Sequence, residues 1–348
     1  MRDEGSVSNA TIRDVAREAS VSVASVSRVM NGHDNVRPAL RQRVEDAATA
    51  LGYVPHAGAR NLSMARANAI GVVLPDIHGE FFSELLRGMD REASAKGFQL
   101  LLSNIHADPV HAVATLKTMR GRVDGLVVMA PHIDADLLMA ELPPGLPVVL
   151  INCADHPGRR AELRIDNVAA AGAVVDHLVA SGRTRIVHLA GPQDNVDARD
   201  RCEGYRAAVA RHQLPARVID GDFMEEAGSA AADTLIARRD GADALFAAND
   251  MMAIGALIAL RRGGIDVPRD IAIVGFDDIP LARLISPALT TMRVDIMTMG
   301  ERALTRLVAL IDGGSDDAME STVPHLIIRE TSDPITIKRI TKEQRGTS

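Results

Sequence analysis

Residues 11–31 read TIRDVAREASVSVASVSRVMN, and this stretch decides how the first part of the chain folds. Its apolar side chains recur every three or four positions, which predicts a short helix from Ile12 to Ala19 with one buried face. Thr11 can cap this helix, and Asp14 stands three residues later, where a capping box has its acidic partner. The pattern therefore predicts a helix that begins at a defined residue.

A second and a third helix are predicted directly after the first. Ser22 is a cap candidate for a helix over 23–30, and a third helix over 38–51 starts with Pro38 and is ended by Gly52. The predicted buried stripe of the third helix consists of Leu40, Val44, Ala47, Ala48 and Leu51. Two short helices with a tight turn between them are typical of a helix-turn-helix, whose second helix enters the major groove of DNA.

The distribution of charge agrees with a DNA-binding head. The chain has 39 basic and 46 acidic residues, a net charge of -7, and this average disfavours a nucleic-acid partner. Residues 11–66, however, contain eight arginines against five acidic side chains. We therefore expect DNA to contact this mildly basic segment of an otherwise acidic chain.

From Ala69 onward, short apolar runs alternate with longer amphipathic stretches. The apolar runs predict buried strands at 69–74, 98–102, 125–129, 148–151, 185–189, 244–247 and 271–275. The amphipathic stretches predict helices at 82–96, 110–120, 168–180, 198–211, 227–238 and 251–262. This alternation indicates an α/β fold of doubly wound parallel sheets with helices on both faces. Ligands bind at the carboxyl ends of the strands in such folds, so we expect the ligand-binding residues to follow the strands directly.

Several other classes of protein are disfavoured by the composition and by missing motifs. No apolar run reaches the roughly 18 residues that span a bilayer, and the polar start lacks a secretory signal. We therefore expect a cytoplasmic protein and not a secreted sugar-binding protein. Cys153 and Cys202 are expected to be plain thiols. Because a nucleophile elbow, a P-loop, a dinucleotide-binding glycine motif and a metal-ligand set are missing, neither an enzyme nor a cofactor or metal site is expected.

The same stretches carry a resemblance to a known family. Residues 11–31, 36–38, 51–55 and 59–62 resemble the head of the lactose-repressor (LacI/GalR) family of transcriptional regulators. Further motifs follow in the order of that family: Gly191-Pro192, Arg201-x-x-Gly204-Tyr205, Gly221-Asp222-Phe223, Ala248-Asn249-Asp250, Val274-Gly275-Phe276-Asp277-Asp278 and Pro287-x-Leu289-Thr290-Thr291. The resemblance covers residues 11 to 332 and is specific, because it rests on an ordered set of motifs.

The resemblance implies a three-helix head, a hinge helix, and a core like the periplasmic binding proteins, with two subdomains joined by three chain crossings. We place the head at 10–55, the hinge and linker at 56–68, the core at 69–332 and a tail at 333–348. The expected crossings are Leu163–Asp166, Leu289–Arg293 and Ser321–Leu326, with an N-subdomain of 69–163 plus 293–321 and a C-subdomain of 166–289 plus 325–340. The resemblance also implies a homodimer on pseudo-palindromic operator DNA and a small-molecule effector, here a sugar or sugar acid, held between the subdomains.

The resemblance predicts which residues contact DNA. Val23 and Ala24 open the recognition helix and offer only apolar contact, for example to a thymine methyl group, whereas Arg28 can bind guanine with two hydrogen bonds. Leu62 in the hinge matches a leucine that wedges between base pairs. Plainer alternatives are solvated serines and an Asn31 that only caps a helix. The expected DNA contacts are Thr11, Ser22, Val23, Ala24, Ser25, Ser27, Arg28, Asn31, Ala59 and Leu62.

Further positions match the effector pocket of the family. Phe82 and Phe223 can stack on the apolar face of a ring, and polar neighbours supply donors and acceptors for hydroxyl groups. The expected effector contacts are Asp76, Phe81, Phe82, Asp197, Arg201, Phe223, Asn249 and Asp277. Plainer alternatives place Phe81 in the core and make Asp76 and Asp197 helix caps. His78 and His132 are expected to be solvated, because no ligand spacing joins them to a carboxylate cluster.

Overall fold

The computed structural model describes residues 10–30, 35–53, 66–156, 160–238 and 241–333. The chain divides between Asn68 and Ala69 into two compact units, a small head and a large core. Each unit buries its own set of apolar side chains. Each unit is therefore held together by the packing of its own core.

The head contains three helices, α1 (Ile12–Glu18), α2 (Val23–Met30) and α3 (Pro38–Ala50). The predicted capping box of α1 is confirmed, because the Asp14 carboxylate accepts from the Thr11 N–H at 3.0 Å and the Asp14 N–H donates to Thr11 Oγ1 at 3.4 Å. Ser22 caps α2, since its Oγ accepts from the Ser25 N–H at 3.1 Å. Local side-chain hydrogen bonds thus determine where the first two helices begin.

The buried core of the head comes from all three helices. Val15, Val26 and Val44 are fully buried at its centre. The prediction for Leu51 was wrong: this side chain is exposed, because α3 ends one residue earlier and Leu51 forms its C-cap instead of extending the buried face. Tyr53, two residues after Leu51, packs against the buried core of the head.

The core unit has two lobes, each built on a six-stranded sheet. The strands of the first lobe are β1 (Ala69–Leu74), β2 (Gln99–Asn104), β3 (Gly125–Met129), β4 (Val148–Ile151), β5 (Ala161–Ile165) and β11 (Met319–Thr322). The strands of the second lobe are β6 (Ile186–Leu189), β7 (Val218–Ile219), β8 (Ala244–Ala247), β9 (Ala272–Asp277), β10 (Thr290–Arg293) and β12 (His325–Ile327). Neighbouring strands are parallel, except that β12 runs antiparallel to β10.

Helices connect these parallel strands. They are α4 (Glu80–Ala95), α5 (Pro109–Met119), α6 (Ala135–Glu141), α7 (Asn167–Ala180), α8 (Val196–Arg211), α9 (Glu225–Arg238), α10 (Asp250–Arg262) and α11 (Ile296–Ile311). The sheet orders are β11-β5-β4-β3-β1-β2 and β12-β10-β9-β8-β6-β7. Adjacent residues Val72 and Val73 of β1 belong to different buried clusters, so both faces of the first sheet are covered. The predicted fold class of doubly wound parallel sheets is confirmed.

The chain passes between the lobes three times. It enters the second lobe between β5 and α7, returns between β10 and α11, and enters the second lobe again between β11 and β12. Loops that follow β1 and β3 in the first lobe, and β6, β8 and β9 in the second, line one common cleft. The topology therefore brings the carboxyl ends of strands from both sheets together.

Most central strands follow the prediction, but one edge does not. Four strands, β1, β3, β4 and β8, have the predicted bounds. The prediction that β2 is buried was wrong: Leu101 and Leu102 are 40% and 42% exposed. The reason is that β2 lies at the end of its sheet and pairs only with β1.

Several short elements were not predicted at all. The strands β5, β10 and β11 interleave polar with apolar residues, and backbone pairing joins them to their neighbours in the sheets. The helix α11 was also missed, although its buried residues Ile296, Met299, Ala303 and Leu307 show the helical spacing. Both cysteines are free thiols, as predicted.

Candidate ligand-binding cleft and DNA-facing helix

A cleft of about 360 Å³ lies between the two lobes of the core. Its volume is within the range of small-molecule sites. All eight positions predicted to contact the effector line it: Asp76, Phe81, Phe82, Asp197, Arg201, Phe223, Asn249 and Asp277. The fold thus gathers these residues around one space. Their contact with a ligand stays a prediction.

The floor of the cleft, by which we mean Asp197, Arg201 and Asp277, is almost completely buried. Arg201 Nε donates to Asn167 Oδ1 at 2.8 Å, and one of its terminal nitrogens donates to the backbone oxygen of Ala248. Its guanidinium also lies 3.8 Å from the centre of the Phe276 ring, a cation–π contact. These contacts fix the guanidinium.

Asp197 connects the two lobes beside Arg201. Its carboxylate accepts from Asn167 Nδ2 at 2.7 Å and from Asn152 Nδ2 at 3.2 Å. Asn152 follows β4 in the first lobe, whereas Asn167 begins α7 in the second. Burial raises the pKa of Asp197 to about 6, although Arg201 and the amide donors oppose that rise. The N-cap of α8 is Asn195, so capping does not explain Asp197.

Asp277 is the last residue of β9 and has an unsatisfied oxygen. Its Oδ1 is buried without a hydrogen-bond partner, since the nearest Arg201 nitrogen is 3.8 Å away. Burial raises the pKa of Asp277 to about 7, against the opposing effect of Arg201. Its φ of +117° is a strained conformation of the kind that functional sites often retain. A donor on a ligand would satisfy this oxygen.

A third carboxylate, Asp250, lies fully buried next to the floor. It accepts from Thr291 Oγ1 at 2.6 Å and from the Ile279 N–H at 3.0 Å. Burial, and then the neighbouring charge of Asp277, raise the pKa of Asp250 well above its usual value. Burial therefore favours the neutral, protonated forms of Asp250 and Asp277 in this part of the core.

The aromatic wall of the second lobe depends on Asn249 and Gly191. Asn249 Oδ1 accepts from the Met252 N–H at 3.0 Å and caps α10, while its Nδ2 donates to the backbone oxygen of Phe223 at 2.8 Å. Phe223 has a φ of +73°, and its ring lies so close to Gly191 that a Cβ there would come within 2.4 Å of it. Asn249 thus positions Phe223, and Gly191 makes room for its ring.

The first lobe supplies a more exposed wall. Asp76 is exposed, and its Oδ1 accepts from the N–H groups of Ile77 and His78 at 2.7 and 3.2 Å in the turn after β1. Phe81 and Phe82 begin α4, are half-buried, and meet edge to face with 5.3 Å between ring centres. This wall therefore combines an apolar surface with an acidic rim.

Histidines connect the two walls. Only 11% of the His132 side chain is exposed, and its ring nitrogens lie 3.2 Å from Asn195 Nδ2 and 3.4 Å from Asp194 Oδ1. The expectation that His132 is solvated was wrong, because its polar partners belong to the other lobe and are distant in the chain. His78 is half exposed and lies 3.6 Å from Glu225 Oε2, also across the cleft.

Sequence reasoning missed several supporting residues. Glu80 Oε2 accepts from the Leu281 N–H at 2.9 Å and so bridges the lobes. Asn152 and Asn167 hold Asp197, and Phe276 stacks on Arg201. Asn152 directly follows a predicted strand, so the rule that function lies at strand ends could have found it. No comparable signal marks Glu80.

In the head, α2 presents small side chains on its outer face. Val23, Ala24 and Arg28 are exposed, whereas Ser25 and Ser27 are half-buried. The opposite face of α2 is closed by buried side chains of the head core. The outer face is thus accessible to a partner along the whole helix.

The remaining predicted DNA contacts are partly described. Ser22 Oγ lies 2.9 Å from Ser25 Oγ, and the Thr11 hydroxyl donates to Asp14 Oδ2 at 2.6 Å. Both hydroxyl groups therefore already have structural partners. Asn31, Ala59 and Leu62, with the rest of the proposed hinge helix, lie outside the described residues.

The part of the chain that the structure describes contains neither a metal-binding cluster nor a helix that could span a membrane. No group of three or more His, Cys, Asp or Glu side chains there could hold a metal ion. No helix in the same ranges is long and apolar enough to cross a membrane.

Comparisons with known proteins agree with this geometry. Residues 11–56 match the family model for bacterial regulatory proteins of the lacI family, and residues 175–332 match a periplasmic binding protein-like domain. The ribose operon repressor of Escherichia coli (strain K12) is 35% identical over 305 residues, 86% of this chain and 92% of that protein.

Solved structures are similar over nearly the whole chain. A lac repressor dimer bound to operator and the anti-inducer ONPF has a TM-score of 0.82 and 27% identity, covering 93% of this chain and 99% of that one. A complex of the transcriptional regulator CelR with cellobiose has a TM-score of 0.70 and 31% identity, covering 92% and 99%.

Proposed function

Because this chain belongs to the LacI family of bacterial regulatory proteins, we propose that it is a sequence-specific DNA-binding repressor whose operator affinity is controlled by a sugar-like effector in the interlobe cleft. The observation that carries the effector part is the buried Asp277 oxygen without a partner, beside the fixed guanidinium of Arg201. Hydroxyl groups both donate and accept hydrogen bonds, so a polyol complements this pair.

The head, residues 10–55, is the proposed DNA-binding domain. Arg28, exposed on α2, is the proposed contact to a guanine in the major groove, while Val23 and Ala24 are the proposed contacts to thymine methyl groups. The serine hydroxyl groups of α2 contact phosphates and fix the register of the helix, and the Thr11 hydroxyl does so by exchanging its bond to Asp14 for one to a phosphate. In the hinge, residues 56–68, Leu62 and Ala59 act at the minor groove, with Asn31 at the end of the recognition helix.

A homodimer is the proposed assembly. Two apolar surfaces of the core support it: the exposed edge strand with Leu101 and Leu102, and the exposed side chains of Ile258 and Leu284 in the second lobe. A second copy would remove these side chains from water. Two-fold symmetry would then present two heads to the half-sites of a pseudo-palindromic operator.

Control of DNA binding follows from the contacts that cross the cleft. Glu80 with Leu281, His132 with Asn195, and Asn152 with Asp197 join the walls on different elements. A ligand held by both walls changes the balance between arrangements of the lobes, and couplings of this type are about 1 to 3 kcal/mol. Binding of the effector is thereby linked to the distance between the two heads of the proposed homodimer. A protein with this role acts in the cytoplasm, where the chromosome is.

Selection of genomic DNA fragments by the purified full chain tests this function. We expect one or a few fragments to be retained, with a binding constant that falls steeply as salt rises. Addition of sugars should change retention, and the active sugar should raise the melting temperature of the core. An equal affinity for all fragments, with and without metabolites, would overturn the proposal.

A further inference from the structure

The loop after β3 meets the start of α8 across the cleft. The backbone oxygen of Pro131 accepts from the Val196 N–H at 3.1 Å, and beside this bond His132 Nε2 lies 3.2 Å from Asn195 Nδ2. The strand β3 belongs to the first lobe and the helix α8 to the second, so both contacts join the lobes. Only 11% of the His132 side chain is exposed, and Asn195 is buried. Both partners of the side-chain contact are therefore largely shielded from water.

The orientation of the Asn195 amide is fixed by its role as the N-cap of α8. Its Oδ1 accepts from the Ala198 N–H at 3.1 Å, and turning the amide over would place an NH2 group against that N–H. The atom that faces the ring of His132 is therefore the amide nitrogen, which can only donate. His132 Nε2 consequently acts as the acceptor and carries no hydrogen.

The other ring nitrogen of His132 has a partner of the opposite kind. His132 Nδ1 lies 3.4 Å from Asp194 Oδ1, and an ionised carboxylate oxygen can only accept. A neutral imidazole with its hydrogen on Nδ1 satisfies both neighbours, because Nδ1 then donates to Asp194 while Nε2 accepts from Asn195. The donors and acceptors around the ring thus select one of its two neutral tautomers.

A second proton on this ring would be poorly accommodated. Placed on Nε2, it would point at the NH2 group of Asn195, so that two buried donors would face each other. The carboxylate in contact with the ring is that of Asp194, and 68% of its side chain is exposed, so water screens its attraction for a positive imidazolium. Of the nearby carboxylates, Asp134 in the same loop caps α6, and Asp197 on the first turn of α8 is held by two asparagine amides. Protonation of the ring therefore breaks the contact with Asn195.

From these contacts we propose that His132 is a proton-sensitive clamp between the lobes, closed when its neutral ring carries the hydrogen on Nδ1 and released when Nε2 is protonated. Histidine ordinarily changes its charge between pH 5 and 8, so the clamp responds close to physiological pH. Asn195 caps the helix that carries Asp197 and Arg201, so release loosens the floor of the cleft. This inference rests on the proposed function, because it adds control by protons to the same effector site, where acid should weaken binding.

Nitrogen NMR of the histidine rings in the full-length chain, labelled with nitrogen-15 at histidine, tests the tautomer. At pH 7.5 we expect the ring of His132, identified by the signals that disappear in His132→Gln, to carry a hydrogen on Nδ1 alone. Asn195→Asp keeps a good cap on α8 but turns the partner of Nε2 into an acceptor, so the ring should then carry a hydrogen on both nitrogens at the same pH. A hydrogen on Nε2 of the wild-type ring at pH 7.5 would refute the clamp.

Thermal melts at pH 7.5 and 5.5 test the release of the clamp. The side chain of His132→Gln can accept from Asn195 through Oε1 and does not titrate, so this variant keeps the clamp closed at both pH values. Acidification should therefore lower the melting temperature of the wild type by about 2 °C or more relative to His132→Gln. His111→Gln is the matched control and should follow the wild type, because His111 also contacts an aspartate through Nδ1 but is exposed on α5, away from the cleft. Equal shifts in the wild type and in His132→Gln would show that no clamp is released.

These measurements need no ligand, so the clamp and the effector can fail separately. If no sugar binds but the tautomer and the melts are as expected, the effector part of the proposed function is lost and the clamp stands. For a sugar that does bind, calorimetry should show that acidification from pH 7.5 to 5.5 weakens binding to the wild type about threefold more than binding to His132→Gln. The same loss of affinity in both proteins would mean that the clamp does not control the effector site.

Discussion

The head and the cleft solve the problem of presenting functional side chains in opposite ways. On α2 the candidate residues are short or exposed, and the helix packs on a small cluster of eight buried apolar residues in the described part of the head. In the cleft the candidates are buried and held by partners from other elements. The comparison teaches that head variants should change binding alone, whereas cleft variants should change binding and stability together.

Removal of Arg201 should show the largest effect on the cleft side. In Arg201→Ala, the buried carboxylates of Asp197 and Asp277 lose their cation, and breaking a buried ion pair costs about 3 to 5 kcal/mol. We expect loss of sugar binding and a clear fall in the melting temperature, measured by calorimetry. Arg199→Ala, exposed on the same helix, is the control and should change neither. A melting temperature equal to that of the wild type would show that the floor is not a stabilising network.

Removal of Asn167 should have the next largest effect. Asn167→Ala leaves Asp197 without one donor and Arg201 Nε without its acceptor, at a cost of about 1 to 3 kcal/mol for such buried groups. Denaturant unfolding should show this loss, and sugar affinity should fall with it because the guanidinium is no longer fixed. The exposed amide of Gln193, changed to alanine, provides the comparison. Loss of stability without any loss of sugar affinity would contradict a positioning role for Asn167.

The head should respond differently. Arg28→Ala should weaken operator binding by about 1 to 3 kcal/mol and relax preference at one base pair, with no change in unfolding, because Arg28 is exposed. Gel-shift titrations on operators changed at single positions provide the measurement. Arg43→Ala, exposed on α3, should at most weaken binding to all sequences equally. The same base preference in wild type and Arg28→Ala would remove Arg28 from base recognition.

The smallest expected effect is a dependence of core stability on pH. The folded-state pKa of Asp277 is about 7 and that of Asp197 about 6, both above the value of about 3.9 in an unfolded chain. The native state therefore binds more protons between those values, and stability should fall as pH rises from 4 to 7. Thermal melts across this range should show a shallower fall in Asp277→Asn, because the amide takes up no proton. Parallel curves for the two proteins would contradict the assigned pKa.

Much of this architecture could be predicted from local pattern. The starts of α1 and α2 depend on caps within three residues, and the central strands are apolar over their whole length. Both the helix starts and these strands could therefore be predicted from the sequence. The eight cleft positions were found because strand ends converge in parallel sheets and because the motifs resemble a family. The exposed β2 was not predictable, since the position of a strand in a sheet depends on topology and not on its own residues.

In the cleft, the sequence did not predict which side chains form hydrogen bonds with one another. Nothing local shows that Asn152 and Asn167 share one carboxylate, that Glu80 reaches the Leu281 N–H, or that one oxygen of Asp277 has no partner. These facts arise when three chain crossings bring distant segments into a buried site. The expected roles of side chains in the head, by contrast, come from the resemblance and from the exposed positions of one helix.

The three crossings also determine the order in which the lobes can be completed while the chain is being synthesised. The first lobe begins with β1, yet its edge strand β11 and its helix α11, which packs against α4, β3, β4 and β5, are encoded after nearly all of the second lobe. On the ribosome, at about 5 to 20 residues per second, the early strands must wait for this late segment. A premature stop codon after β10 would leave the head and most cleft residues intact but would release a first lobe without its covering helix, open to aggregation and proteolysis.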